Sequence, residues 1–138
     1  MHTQEQRVLP VLLLGYALAS LVHFVHNAEF LAEYPNLPVS WTRAGVYGAW
    51  VGLTALGAGG WLLFARGYRL AGLLLLAVYA GLGLDSLGHY VVASPSQHTP
   101  AMNVTILLEV GAAALVLVEV VRQMARRMLS GRVGGPGR

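Results

Sequence analysis

A chain of 138 residues has room for one domain, and a soluble domain of that size could not bury 56% apolar residues with only 11% charged. The formal net charge is +3 and the pI is near 9.7, yet all nine basic residues are Arg. Cysteine is absent, which excludes disulfides, thiolate metal sites and cysteine nucleophiles. The basic excess does not point to nucleic acid. Arg122, Arg126, Arg127, Arg132 and Arg138 follow directly on an apolar segment, the placement of a cytoplasmic membrane flank, where they also attract anionic lipid head groups. The bias to Arg, Ala, Leu and Gly looks like that of a high-GC bacterial genome, so a multi-pass protein of the bacterial cytoplasmic (inner) membrane is expected.

A helix needs about 20 apolar residues to cross the hydrocarbon core. In chain order, the first segment that qualifies runs over about 8–31. Arg7 and Ala17-Leu18-Ala19 give its start the look of a signal peptide, but the apolar run continues to Leu31, so a retained helix is expected rather than a cleaved one. Tyr34-Pro35-Asn36-Leu37-Pro38 ends it. A second span over 44–64 stops at Arg66-Gly67-Tyr68-Arg69, a third covers 70–92, and Ser94 to Pro100 leads into a fourth over 101–121, followed by a basic tail over 122–138. No ten-residue alternation supports a β-barrel. The expected fold is therefore all-α, an integral membrane four-helix bundle. Eight of the nine Arg fall on one side of it and only Arg43 on the other, which places both termini in the cytoplasm. Tyr34, Trp41 and Tyr90 would form an outer aromatic belt, and Trp61, Phe64 and Tyr68 an inner one. Gly48, Gly52, Gly57, Gly59 and Gly60, with Gly81 and Gly88, would let helices approach closely.

With that orientation, ten polar residues gather in the outer half: His23, His26, Asn27, Glu29 and Glu33 from the first segment, Asp85 and His89 from the third, His98 from the loop, and Asn103 and Glu109 from the fourth. At 100° per residue the first five span about 160° of one helix, a single face. Asp85 and His89 are i, i+4 neighbours, as are Thr105 and Glu109. An ionisable group at bilayer depth costs about 2.5–3.5 kcal/mol on insertion scales and marks function more often than structure. The inner half holds little of this kind beyond Glu119, which can pair with Arg122. Against a functional role stand blander readings: His23 alone as an ordinary polar partner, Glu33 and His98 as solvated groups, and Asn103 as a helix-start hydrogen-bonding residue. His26, Glu29, Asp85, His89 and Glu109 are harder to explain that way. The tyrosines and Trp50 read as packing or belt residues.

Imidazoles and carboxylates without thiolates suit Zn, Cu or Fe. The expected metal ligands are His26, Glu29, Asp85 and His89, with His23 and His98 as further ligands or orienting partners, and Glu29 and Glu109 as catalytic carboxylates. Asp85, His89 and His98 also resemble the copper-binding pattern in the C subunit of membrane copper monooxygenases. More broadly, His26-Asn27-Ala28-Glu29, Leu87-Gly88-His89-Tyr90 and His98-Thr99-Pro100 look like the HXXEE family of small bacterial four-helix membrane proteins. That resemblance implies the four-helix architecture and the choice of polar positions, but no reaction. Where the family has two adjacent Glu, Glu29 here is followed by Phe30 and the next carboxylate is Glu33.

Three functions compete on these residues. The first is a transition-metal site, possible as an oxidoreductase or hydrolase for a lipophilic substrate; a haem between His26 and His89 is a lesser variant. The second is a metal-free acid/base site acting on a lipid-like molecule or moving protons. The third is an accessory subunit of a homo-oligomer or membrane complex, whose polar layer fixes helix register. A substrate-sized pocket beside the carboxylates would favour the second, and a packed, fully paired network the third.

Overall fold

A computed structural model describes residues 2–133. Among the described residues the chain is helical without strands: α1 (His2–Glu29), α2 (Arg43–Ala65), α3 (Arg69–Leu84), α4 (Gly88–Val92) and α5 (Pro100–Val133), with single 3-10 turns at Leu31–Glu33, Asp85–Leu87 and Pro95–Gln97. Four stretches are long and apolar enough to cross a membrane, namely Arg7–Glu29, Arg43–Ala65, Arg69–Val92 and Pro100–Ser130. The third comprises α3, the 3-10 turn and α4. The three-residue link from Ala65 to Arg69 makes α2 and α3 antiparallel neighbours. α1 packs on α2 and α5, and α3 packs on α2 and α5, which closes a four-membered ring. One end carries Arg7, Arg66, Arg69 and Arg122 (the arginine end); the other carries His26, His89 and His98 (the histidine end).

Three element boundaries differ from the sequence expectation. The first α-helix stops at Glu29, not at Leu31, because the chain tightens into the Leu31–Glu33 turn ahead of Pro35. The third span is not one uninterrupted α-helix: flanked by Gly83 and Gly88, it winds into a 3-10 turn at Asp85. The fourth helix runs past Val121 to Val133, since nothing between Arg122 and Ser130 breaks a helix. The basic stretch expected as a tail is thus largely helical. Arg138 and the side chain of Arg132 lie outside what is described.

The apolar pattern is outward. Val11, Leu14, Leu18, Val22 and Val25 form an exposed stripe on α1, and Leu70, Leu74, Val78 and Leu82 form another on α3. In water such surfaces would be a liability; against lipid they are the expected coat. Inside, toward the arginine end, Leu9, Tyr16, Leu73, Leu76, Tyr79, Ala113, Val116 and Val120 make one apolar cluster, and Tyr34, Met102 and Ile106 make a smaller one at the histidine end. Ser20, His23, Asn27, Thr105 and Glu109 are the buried polar residues nearest the middle of the bundle.

Close helix approach is concentrated toward the arginine end. A Cβ on Gly57 would strike the Tyr79 ring, one on Gly60 would strike Leu76, and one on Gly72 the Phe64 backbone. Gly83, likewise, lies against the Tyr16 hydroxyl and Ala113. Gly48, Gly52, Gly81 and Gly88 have nothing within 4 Å, so these four expected packing glycines do not serve that purpose. Small residues therefore clamp α2 to α3 near the arginine end, while Gly48 and Gly52, toward the histidine end of α2, meet nothing.

The turns carry two special conformations. Gly67, between α2 and α3, has φ 94°, where a side chain would be strained. Asn36 has φ 57°, a region Asn tolerates, and its Nδ2 donates to the Val92 carbonyl at 2.9 Å. The first loop is thereby tied to the end of the third span.

Candidate functional site

α1 places Ser20, His23 and Asn27 on one inward face at i, i+3 and i+7, and each is buried. α5 supplies Thr105 and Glu109 one turn apart, and Glu109 is fully buried. The 3-10 turn after α3 aims Ser86 rather than Asp85 into the bundle. The Ser86 hydroxyl donates to Glu109 Oε2 at 2.6 Å.

His23 lies between α1 and α5. The Thr105 hydroxyl donates to the Met102 carbonyl at 3.0 Å, so in the 3.3 Å contact with Thr105 it is His23 Nδ1 that donates. His23 Nε2 then faces Glu109 Oε2 at 3.7 Å. A neutral imidazole presents a lone pair there, so a stable pairing needs one proton held between ring and carboxyl. Asn27 Oδ1 and His98 Nε2 are buried and have no hydrogen-bond partner among the described residues, whereas Ser20 lies against the Glu109 carboxyl. An orphaned buried polar atom costs about 1–3 kcal/mol, so this is not a fully paired structural network.

From His23 a file of imidazoles leads toward the loop. His23 and His89 rings meet edge-on with centroids 5.4 Å apart, and His89 and His98 do so at 6.2 Å. Asn27 Nδ2 donates to His89 Nε2 at 3.3 Å, and His98 Nδ1 donates to the Ser94 carbonyl at 3.0 Å. His98 is buried rather than solvated. Tyr34, expected in the outer belt, is buried instead: its ring packs on His89, its hydroxyl bonds His26 Nδ1 at 2.9 Å, and burial pushes that hydroxyl up to about 12. Asn103 accepts from the Tyr90 hydroxyl at 2.8 Å and donates to the Pro95 carbonyl at 3.0 Å, which pins the last loop to the start of α5.

A cavity of about 510 Å³ lies beside this layer, between α1, α2 and the third span. His23, Asn27, Asp85, Ser86 and His89 form its polar wall, and Phe24, Trp41, Val46, Ala49, Leu53 and Leu82 its apolar one. That combination suits an amphipathic molecule.

The expected ligands are not drawn to one point. His26 engages Tyr34, and Glu29 turns to α2, where its Oε1 lies 2.6 Å from both the Tyr47 hydroxyl and Arg43 Nη2. Asp85 and His89 both reach the cavity wall, but Glu29 does not. Among the described residues no group of three or more His, Asp or Glu is placed to hold a metal ion. Of the two expected catalytic carboxylates, Glu109 is central and Glu29 peripheral. Glu33 is exposed, and Glu119 binds Arg122 through two 2.8 Å contacts as expected. Sequence reasoning missed Ser20, Ser86 and Tyr34. Ser20 could have been found from its i, i+3 relation to His23, whereas Ser86 is aimed by a turn no spacing rule reveals.

Compared with known proteins, the chain matches no family model, no curated protein and no solved structure.

Proposed function

We propose that the protein is a multi-pass protein of the bacterial inner membrane, its histidine end facing outward and both termini in the cytoplasm, and that the histidine-end cavity takes a lipid-like amphipathic molecule on which His23 and Glu109 act as an acid/base couple. The observation that carries this reading is the buried His23–Glu109 pair, 3.7 Å apart, with His23 in the wall of a substrate-sized cavity. The asymmetric Arg distribution supports the orientation. In this scheme Thr105 fixes the His23 ring, Ser86 holds one Glu109 oxygen, and the couple removes a proton from the bound molecule and returns it. Asp85, Asn27 and His89 orient the polar part of the ligand, and Phe24, Val46 and Leu53 hold its apolar part.

The test is deuterium incorporation. The purified protein in lipid nanodiscs is incubated in D2O with a total lipid extract, and exchange at carbon is followed by mass spectrometry. One lipid species gaining deuterium with wild-type protein but not with Glu109→Gln is the expected result. Equal incorporation by wild type and variant would sink the acid/base reading.

A second reading, a Zn, Cu or Fe site, draws on the contiguous His23, His89 and His98 rings and the unpartnered His98 Nε2. It predicts stoichiometric metal in the purified protein that is lost from a His89→Ala, His98→Ala variant. A protein with neither deuterium exchange nor metal would be left to the accessory-subunit reading.

A further inference from the structure

A second cavity, of about 370 Å³, lies at the arginine end, shares no lining residue with the first, and is lined by residues of all four spans. Its rim holds Arg69 from the start of α3 and Arg122, Arg126 and Arg127 from α5; its floor includes Trp61 and Phe64. Four guanidinium groups and the Glu119 carboxylate line one opening. Glu119 grips Arg122 through Nε and Nη2, both at 2.8 Å, which fixes that guanidinium on the α5 face it shares with Arg126. Arg69 stands at the first turn of a sixteen-residue helix, whose N-terminal amides favour an anion, and its guanidinium lies 6.0 Å from the Phe64 ring centre.

We infer that this cavity binds the phosphate of an anionic membrane lipid, with the arginines around the phosphate and the acyl chains against Trp61, Phe64 and Leu9. Guanidinium forks match phosphate oxygens two at a time. The aromatic floor lies where membrane-length apolar helix gives way to the basic stretch of α5, so an apolar appendage is accommodated beside the charge. A cavity of this volume suits a head group and is far too small for a nucleic-acid duplex. The inference uses only arginine-end residues and stands whether or not the histidine-end reading holds.

Native mass spectrometry of the full-length protein, released from micelles doped with phosphatidylglycerol or phosphatidylcholine, tests it. Phosphatidylglycerol should be retained in preference to phosphatidylcholine. Arg69→Gln and Arg126→Gln should each weaken retention about fivefold. Arg66→Gln, which removes the same charge from the same end but outside the cavity, should leave it unchanged. Excess inorganic phosphate should not displace the lipid. Equal retention of both lipids, or an Arg66→Gln effect as large as that of Arg69→Gln, would overturn the proposal. Displacement by inorganic phosphate would also overturn it, by showing a soluble anion as the ligand. Should the cavity variants fail to fold, a protein with Trp61 as its sole tryptophan (Trp41→Phe, Trp50→Phe) keeps the question open to measurement. Its fluorescence should be quenched more by dibrominated phosphatidylglycerol than by the dibrominated phosphatidylcholine, and equal quenching refutes the site.

Discussion

His23 Nε2 and Glu109 Oε2 stand 3.7 Å apart with 2% and 0% of their side chains exposed, each anchored by a hydroxyl from a different element. Such a pair is expensive to break on one side only. Removing the carboxyl strands an imidazole and the Ser86 hydroxyl, whereas an amide of the same shape keeps a hydrogen-bonding partner. Glu109→Ala should therefore lower stability by about 1–3 kcal/mol, and Glu109→Gln by clearly less, as read from thermal unfolding in one detergent.

The two carboxylates singled out in the sequence should separate by function. Glu29 faces α2 and pairs with Arg43 and Tyr47, both outside the His23 layer. Glu29→Gln should retain deuterium exchange into lipid, while Glu109→Gln abolishes it. Loss of exchange in both variants would place Glu29 in the working site after all.

Packing predictions divide the glycines. Gly57→Val and Gly72→Val drive side chains into Tyr79 and the Phe64 backbone and should each cost about 1–3 kcal/mol. Gly48→Ala and Gly52→Ala meet nothing within 4 Å and should be neutral or mildly stabilising. Melting temperatures of the four variants decide the matter.

Tyr34 makes a pH prediction. Burial raises its hydroxyl from 10.0 to about 12 in the folded chain. Between those values the unfolded state has released a proton that the folded state still holds, so stability falls as pH rises from 10 toward 12. Tyr34→Phe should flatten the part of the alkaline fall that this residue causes, in unfolding curves measured side by side with wild type.

The four apolar spans and the layer of His, Asp, Glu and Asn residues are legible in the sequence. Span length and helical period are local properties, and a polar residue stands out against an apolar background without knowledge of its neighbours. The interior of that layer is not legible in the same way. His26 and Glu29 share a helix with His23, yet one turns to Tyr34 and the other to Arg43, because each rotamer is set by the element opposite. Tyr34 reads as a belt residue until the loop that Asn36 ties to Val92 brings it inside.

Composition and period alone decide that this chain is helical, that four of its segments are of membrane length, and that eight of its nine arginines lie away from the His26, His89 and His98 end. Long-range packing sets that His23 meets Glu109, that Ser86 and not Asp85 reaches that carboxyl, and that a cavity opens beside them. Those outcomes depend on side-chain contacts between helices distant in sequence, and on glycines that clamp α2 to α3 near the arginine end while leaving room at the other.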